Sequence, residues 1–230
     1  VLLLFDIDGT LLLKASREHA EALYAALRRV HGIEIPAGRV EAAGRTDLAI
    51  ARTILTRAGV SAERIDDRAG DVRAATALEY AKRCPADFSD HLAPLVPKVL
   101  DALAARDGCR LALVTGNLEP VARLKVDRAG IGHHFAKGQG AYGSDNEDRT
   151  QLPSLARARA GVGGAPYPRA ETVVIGDTPR DIACAHADGV AVIAVATGPF
   201  RAGELQRADA VCAHMGELPA ALDALGVATR

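Results

Sequence analysis

The chain opens on an unbroken apolar run, "VLLLF", that leads into two carboxylates one residue apart, Asp6 and Asp8. Three further blocks share this near-continuous apolar character: "CRLALVT" (109–115), "TVVIGD" (172–177) and "VAVIAVAT" (190–197). Runs of this length without polar alternation predict strands covered on both faces, as in a parallel sheet. Helical spacing fills the intervals between them. In "VPKVLDALAAR" (96–106), Val96, Val99, Leu100 and Leu103 form one stripe. "LEPVARLKVDRAG" (118–130) has Pro120 near its start and Gly130 at its end. "TPRDIACAHADG" (178–189) offers Thr178 as a cap, Pro179 at the first turn and Gly189 past the end. Alternation of this kind predicts an α/β fold with a doubly wound parallel sheet. Short strands over 136–141 and 208–212 would complete it.

Residues 14–92 break the alternation. Ser16 is placed to cap a helix bearing Ala20, Leu23, Tyr24, Leu27 and Val30 at helical spacing. Thr46 can cap a second helix, with Asp47 in its first turn. Ser61 begins a third region running to about Arg83, in which Gly70 weakens a single continuous helix. The expected organisation is a sheet domain built from 1–13 and 93–230, with 14–92 inserted as a separate all-helical module.

Charge and composition narrow the partners. A net charge of −1 provides no electrostatic footprint for nucleic acid or an anionic membrane. Aromatics at 3% with no Trp argue against base-stacking platforms. No apolar run approaches bilayer-spanning length, and the first one lacks the basic flank of an export signal. A start at Val, with Met215 the single methionine, suggests a trimmed beginning. Cys84, Cys109, Cys184 and Cys212 form no Cys-x-x-Cys pair and are expected as free thiols in a reducing compartment, with the cytoplasm as the default. His133 and His134 are adjacent and are expected in a solvated turn. Oligomeric state, monomer or homodimer, is left open by the pattern.

Chemistry gathers at the strand ends, where open parallel sheets bind their ligands. The first strand delivers Asp6 and Asp8, the 109–115 strand delivers "TGN" (Thr115, Gly116, Asn117), and the 172–177 strand delivers "GDTPRD", with Asp177 at its tip and Asp181 in the following turn. Acid-rich oxygen sites suit hard cations, with Mg²⁺ typically held by carboxylates, water and substrate phosphate. Thr115 and the amides after it can cradle an anion where the chain enters a helix. Phosphate is therefore the economical substrate group. Asp6, deeper in the strand, is the better nucleophile; Asp8 could protonate a leaving oxygen and then deprotonate water.

These motifs resemble those of the haloacid dehalogenase superfamily: "FDIDGTLL" its first, "LVTGN" its second and "VVIGDTPRDI" its fourth. The resemblance implies a Rossmann-like core, a mobile helical cap and a Mg²⁺-dependent phosphatase of a small phosphorylated metabolite, phosphoglycolate-like or a sugar phosphate. It implies that Asp6 attacks phosphorus to form an aspartyl-phosphate and that Asp8 serves as acid and then base. It further implies that Mg²⁺ is held by the Asp6 carboxylate, the Asp8 backbone carbonyl and Asp177, with Asp181 supporting the shell. Thr115 and the amides near Gly116 and Asn117 would bind the phosphoryl group. The third motif departs from the usual lysine: Arg149 takes the position, with Lys137 the alternative. The acid at Asp8 favours phosphoryl transfer over carbon–halogen cleavage. Neither Lys14 nor Lys82 has the setting of a Schiff-base lysine. "GRTD" (44–47) resembles a cap loop that reaches into the site in phosphoglycolate phosphatase-like and phosphoglucomutase-like members, which would bring Arg45 to the substrate. A phosphosugar mutase is the alternative enzyme, and a non-catalytic binding protein the alternative class. The scarcity of aromatics in the cap favours a small, polar substrate.

Overall fold

In the computed structural model, which describes residues 1–38 and 40–226, six parallel strands form one sheet in the order β3-β2-β1-β4-β5-β6. They are β1 (Leu2–Phe5), β2 (Arg110–Thr115), β3 (Ala141–Tyr142), β4 (Thr172–Gly176), β5 (Ala191–Val195) and β6 (Ala210–Cys212). Both faces are covered. Leu3, Phe5, Leu111, Leu113, Val173 and Ile175 point into one core layer. Leu2, Leu4, Ala112, Val114, Val174 and Val192 point into the other. The strict alternation within uniformly apolar strands follows from a sheet whose two faces are both removed from water. The helices α5 (Val96–Ala104), α6 (Glu119–Arg128), α7 (Leu152–Ala160), α8 (Pro179–Asp188) and α9 (Leu218–Ala224) supply that cover.

β1 lies between β2 and β4, with Leu2 in register with Arg110 on one side and Thr172 on the other. The strand order runs outward in both directions from β1, so the crevice of the sheet opens at the carboxyl ends of β1, β2 and β4. β1 itself stops at Phe5. The carbonyl of Ile7 then accepts the amides of Thr10, Leu11 and Leu12, a tight turn that lifts Asp8 above the sheet end. β3 is shorter than the expected 136–141 strand because Gly138 and Gly140 have φ of 77° and 80°, outside the extended region.

Between β1 and β2 the chain forms α1 (Arg17–His31), α2 (Asp47–Arg57), α3 (Ala62–Asp67) and α4 (Ala69–Arg83). Leu23 and Leu27 of α1 meet Ala51, Ile54 and Leu55 of α2, Ile65 of α3 and Val72 of α4 in an apolar cluster of their own. Thr46 and Ser61 cap α2 and α3 as their positions suggest. Ser16 does not cap α1: its hydroxyl donates to Asp8 Oδ1 at 3.2 Å instead. The expected break near Gly70 falls at Arg68, which ends α3 and precedes α4. Among the described residues no helix is long and apolar enough to cross a membrane. The four cysteines are free, Cys184 and Cys212 buried and the other two half-buried.

Candidate active site

The ends of β1 and β4 bring a carboxylate cluster together. The carboxylate oxygens of Asp6, Asp177 and Asp181, all buried, lie within 4.8 Å of one another. A single guanidinium faces them: Arg149 Nη2 is 3.0 Å from Asp6 Oδ1 and also bonds Asp181 Oδ1. Asp181 is fixed by the start of α8, where its Oδ2 accepts the Thr178 amide at 2.9 Å and the Thr178 hydroxyl at 2.7 Å. Thr178 accepts the Asp181 amide in return, a reciprocal cap that locks both residues. Asp177 accepts the Thr10 hydroxyl on Oδ1 at 3.0 Å, whereas its buried Oδ2 has no partner. A side chain at Gly9, whose φ is +95°, would collide with that carboxylate, so the turn after β1 needs glycine here twice over.

Too many acids for one arginine is the electrostatic signature of this cluster. Burial pushes Asp6 up to about 6; Arg149 opposes that, and Asp181 and Asp8 add to it. Burial, then Asp181 and Asp6, push Asp177 up to about 8. Arg149 stays charged, raised well above its ordinary range by Asp181 and Asp6 although burial works against it. Hard oxygen donors, an unpartnered buried oxygen and surplus negative charge together fit a divalent cation. Asp6, Asp177 and Asp181 are the side chains that can hold one.

Asp8 belongs to a different environment. Lys125, whose side chain is fully buried, reaches both Asp8 oxygens at 2.7 Å, and Asn117 Nδ2 donates to Oδ2 at 2.8 Å. Burial alone would raise Asp8, but the Lys125 charge and the bonds from Lys125 and Asn117 outweigh it and hold the carboxyl below its ordinary value. The chain of contacts continues into the helical insert. Lys125 Nζ is 3.3 Å from His19 Nδ1, and His19 Nε2 is 2.9 Å from Asp47 Oδ2. An ammonium can only donate, so Nδ1 accepts and Nε2 carries the proton toward Asp47. Asp47 Oδ2 also accepts the amide of Leu118 at 2.8 Å, and the Asp47 amide donates to Gly116 O at 2.8 Å.

Both environments open on one cavity of about 520 Å³, walled near the sheet by Asp6, Asp8, Gly116, Asn117, Arg149 and Asp177. Thr115 sits behind this wall, fully buried. Its hydroxyl oxygen accepts from the Asn117 amide at 3.3 Å and from Asn117 Nδ2 at 3.0 Å, so it shapes the turn that Gly116 and Asn117 present. Asn117 Oδ1 is buried without a partner. Gly116 packs against the backbone of Arg45, where a side chain would strike the Arg45 carbonyl.

Arg45 lines the cavity, with its guanidinium folded back along α2 and donating to Ala49 O at 2.8 Å and Thr53 Oγ1 at 2.7 Å. The segment 43–47 also docks on the sheet domain: Thr46 donates to Glu147 O at 2.6 Å and Arg180 donates to Ala43 O at 2.8 Å. Lys137, the alternative to Arg149, is exposed, and Lys82 pairs with Glu79.

The model of the haloacid dehalogenase-like hydrolase family matches residues 3–186. The chain belongs to that family. Its fold is shared with a β-phosphoglucomutase candidate from Bacteroides vulgatus, at a TM-score of 0.68 and 22% identity over 100% of this chain and 90% of the other. A candidate phosphoglycolate phosphatase from Haemophilus somnus matches at a TM-score of 0.66 and 21% identity, over 95% and 96% of the two chains. In sequence, the tyrosine-protein kinase PtkA of Mycobacterium tuberculosis is 28% identical over 229 residues, 98% of this chain and 72% of PtkA. As a haloacid dehalogenase-like hydrolase, the protein presents the expected first, second and fourth motifs at the ends of β1, β2 and β4. Lys125 and His19 lie outside those motifs and were not expected at the site. The one signal for Lys125 is its place on a buried stripe of α6, among Val121, Ala122 and Val126.

Proposed function

We propose that the protein is a Mg²⁺-dependent phosphatase that hydrolyses a small phosphorylated metabolite through an aspartyl-phosphate on Asp6. One observation carries this reading: Asp6 is buried beside Arg149 and the unpartnered oxygen of Asp177, while Asp8, from the next turn, faces the same cavity. Asp6, Asp177 and Asp181 would hold the cation, together with the Asp8 carbonyl that the family resemblance suggests. When bound there, Mg²⁺ offsets the charge of the carboxylates and of the phosphoryl oxygens.

The remaining chemistry belongs to the chain. An Asp6 oxygen attacks phosphorus, the bond from phosphorus to the alcohol oxygen breaks, and Asp8 gives that oxygen a proton. Asp8, again a carboxylate, takes a proton from water as the water oxygen attacks phosphorus, and the bond to Asp6 breaks. Arg149 bridges the nucleophile and the transferring group as a charged fork. Gly116 and Asn117 present backbone N–H groups to the phosphoryl oxygens. Lys125 and Asn117 keep Asp8 anionic, the form needed for the second step. Lys125 Nζ also lies 3.3 Å from His19 Nδ1, and a shift toward it would free an Asp8 oxygen to carry the proton of the first step. Residues 14–92 act in this reading as a cap over the core formed by 1–13 and 93–226, excluding water while the reaction runs. Four free thiols fit a reducing, cytoplasmic setting.

The test is inorganic phosphate release from a panel of phosphomonoesters, with Mg²⁺ and with EDTA. Release that needs the metal and is lost in Asp6→Asn supports the reading. Conversion of one sugar monophosphate to its isomer, dependent on a bisphosphate and without net release, would replace it with the mutase reading.

A further inference from the structure

The far wall of the cavity differs in character from the reacting end. It is built by the helical insert and the segment leading to it, from Leu13, Ala20, Leu23, Tyr24, Val40 and Ile50. The polar side chains around this wall are engaged with the protein itself. Ser16 donates to Asp8, His19 bridges Lys125 and Asp47, and Asp47 accepts the Leu118 amide. Arg45 is held by Ala49 and Thr53. Among the described residues that leaves the Tyr24 hydroxyl and the exposed Lys14 as the polar side chains of this wall not engaged with another protein group.

A polyhydroxylated or doubly anionic substrate entering this space would lose hydrogen bonds to water and find few replacements. An apolar body would gain from the same burial. Resting on the phosphatase reading, we infer that the preferred monoester carries an apolar alkyl or aryl body, with Leu13, Leu23, Val40 and Ile50 as the residues that select it. This departs from the small, polar substrate that the scarcity of aromatics suggested. The apolar surface here is aliphatic, so a count of aromatic residues did not register it.

The test separates binding from turnover. Mg²⁺-loaded protein is titrated calorimetrically with n-alkylphosphonates from ethyl to octyl, and phosphate release is measured from the matching n-alkyl phosphates, phosphoglycolate and glucose 6-phosphate. Affinity and kcat/KM are expected to rise about threefold to fourfold per added methylene until the cavity is filled. Val40→Asp and Ile50→Asn, each checked for an unchanged circular dichroism spectrum, are expected to flatten that slope. A flat or falling series, with the polar monoesters turned over at least as well, overturns the inference and leaves the phosphatase reading standing. A rising phosphonate series without phosphate release from any ester supports the apolar pocket and overturns the phosphatase reading. Absence of both binding and release overturns the two together.

Discussion

Asp6 and Asp8 are separated by one residue, yet the fold places them in opposite electrostatic environments. Asp6 shares one arginine with two other buried acids and is pushed up to about 6. Asp8 has Lys125 on both its oxygens and is held below its ordinary value. The difference comes from where each partner is anchored. The Asp6 cluster is assembled from β1, β4 and α8 and from Arg149 just before α7, all elements of the sheet domain. The Asp8 cluster draws Lys125 from α6 but His19 and Asp47 from the insert. Pairs of acids whose environments pull them apart are how one site runs nucleophilic and proton-transfer chemistry side by side. Here Asp8 is also the acid linked to the insert, through Lys125 to His19 and Asp47.

The comparison can be broken at each end. Asp6→Asn removes the proposed nucleophile and is expected to lower kcat by about 10⁴-fold or more in the phosphate-release assay. Lys125→Met leaves the half-buried Asp8 without its cation. It is expected to reduce kcat by about 10²-fold and stability to urea by about 3 kcal/mol. Adding Asp8→Asn to Lys125→Met should return much of the stability and none of the activity. An additive loss of stability in the double variant would count against direct pairing.

A third measurement concerns the Asp6 side alone. In metal-free protein, Asp6 and Asp177 hold protons at pH values where the unfolded chain has released them. Their contribution to stability is therefore present below about pH 4 and is lost as pH rises through about 6 and then about 8. The melting temperature without metal is expected to fall across that window, and Mg²⁺ to remove most of the fall. A metal-free melting curve that rises from pH 5 to 8 would contradict this assignment. The smallest effect is expected for Asp47→Asn, which weakens the His19 and Leu118 bonds and should cost about 1 kcal/mol of stability with a few-fold loss in kcat.

The sheet and the acids at its tips were readable in the sequence because the signals are local. Each apolar block stops at the residues that carry chemistry, and the order of the blocks places Arg149 between the second and fourth motifs. The Asp8 environment was not readable in the same way. Its lysine is 117 residues away in the chain, and nothing local pairs them. What the sequence does carry is an anomaly: Lys125 sits on the buried stripe of α6, and His19 sits on that of α1 with Ala22, Leu23 and Ala26. A charged or titratable group on such a stripe requires a buried partner. Arg45 shows the converse limit. A long side chain at a helix start can turn to the carbonyl four residues on, as Arg45 does to Ala49, and local sequence does not decide which way it goes. Ser16, facing either a helix amide or Asp8, presented the same choice.

The position of β1 has a consequence for how the chain folds. It is flanked on both sides, and both flanking strands follow it at long range, with Leu2 pairing to Arg110 and to Thr172. Until those strands arrive, Val1–Phe5 is a short apolar segment of high strand propensity with free edges, the kind of window through which nascent chains associate. Non-local pairing of this order also makes for slow folding. Asp6 and Asp8 close that window with two charges. Charges at such a position are the kind that keep an unpaired strand from associating. Replacing both with Asn should therefore lower the yield of soluble protein during synthesis more than it lowers the stability of protein already folded.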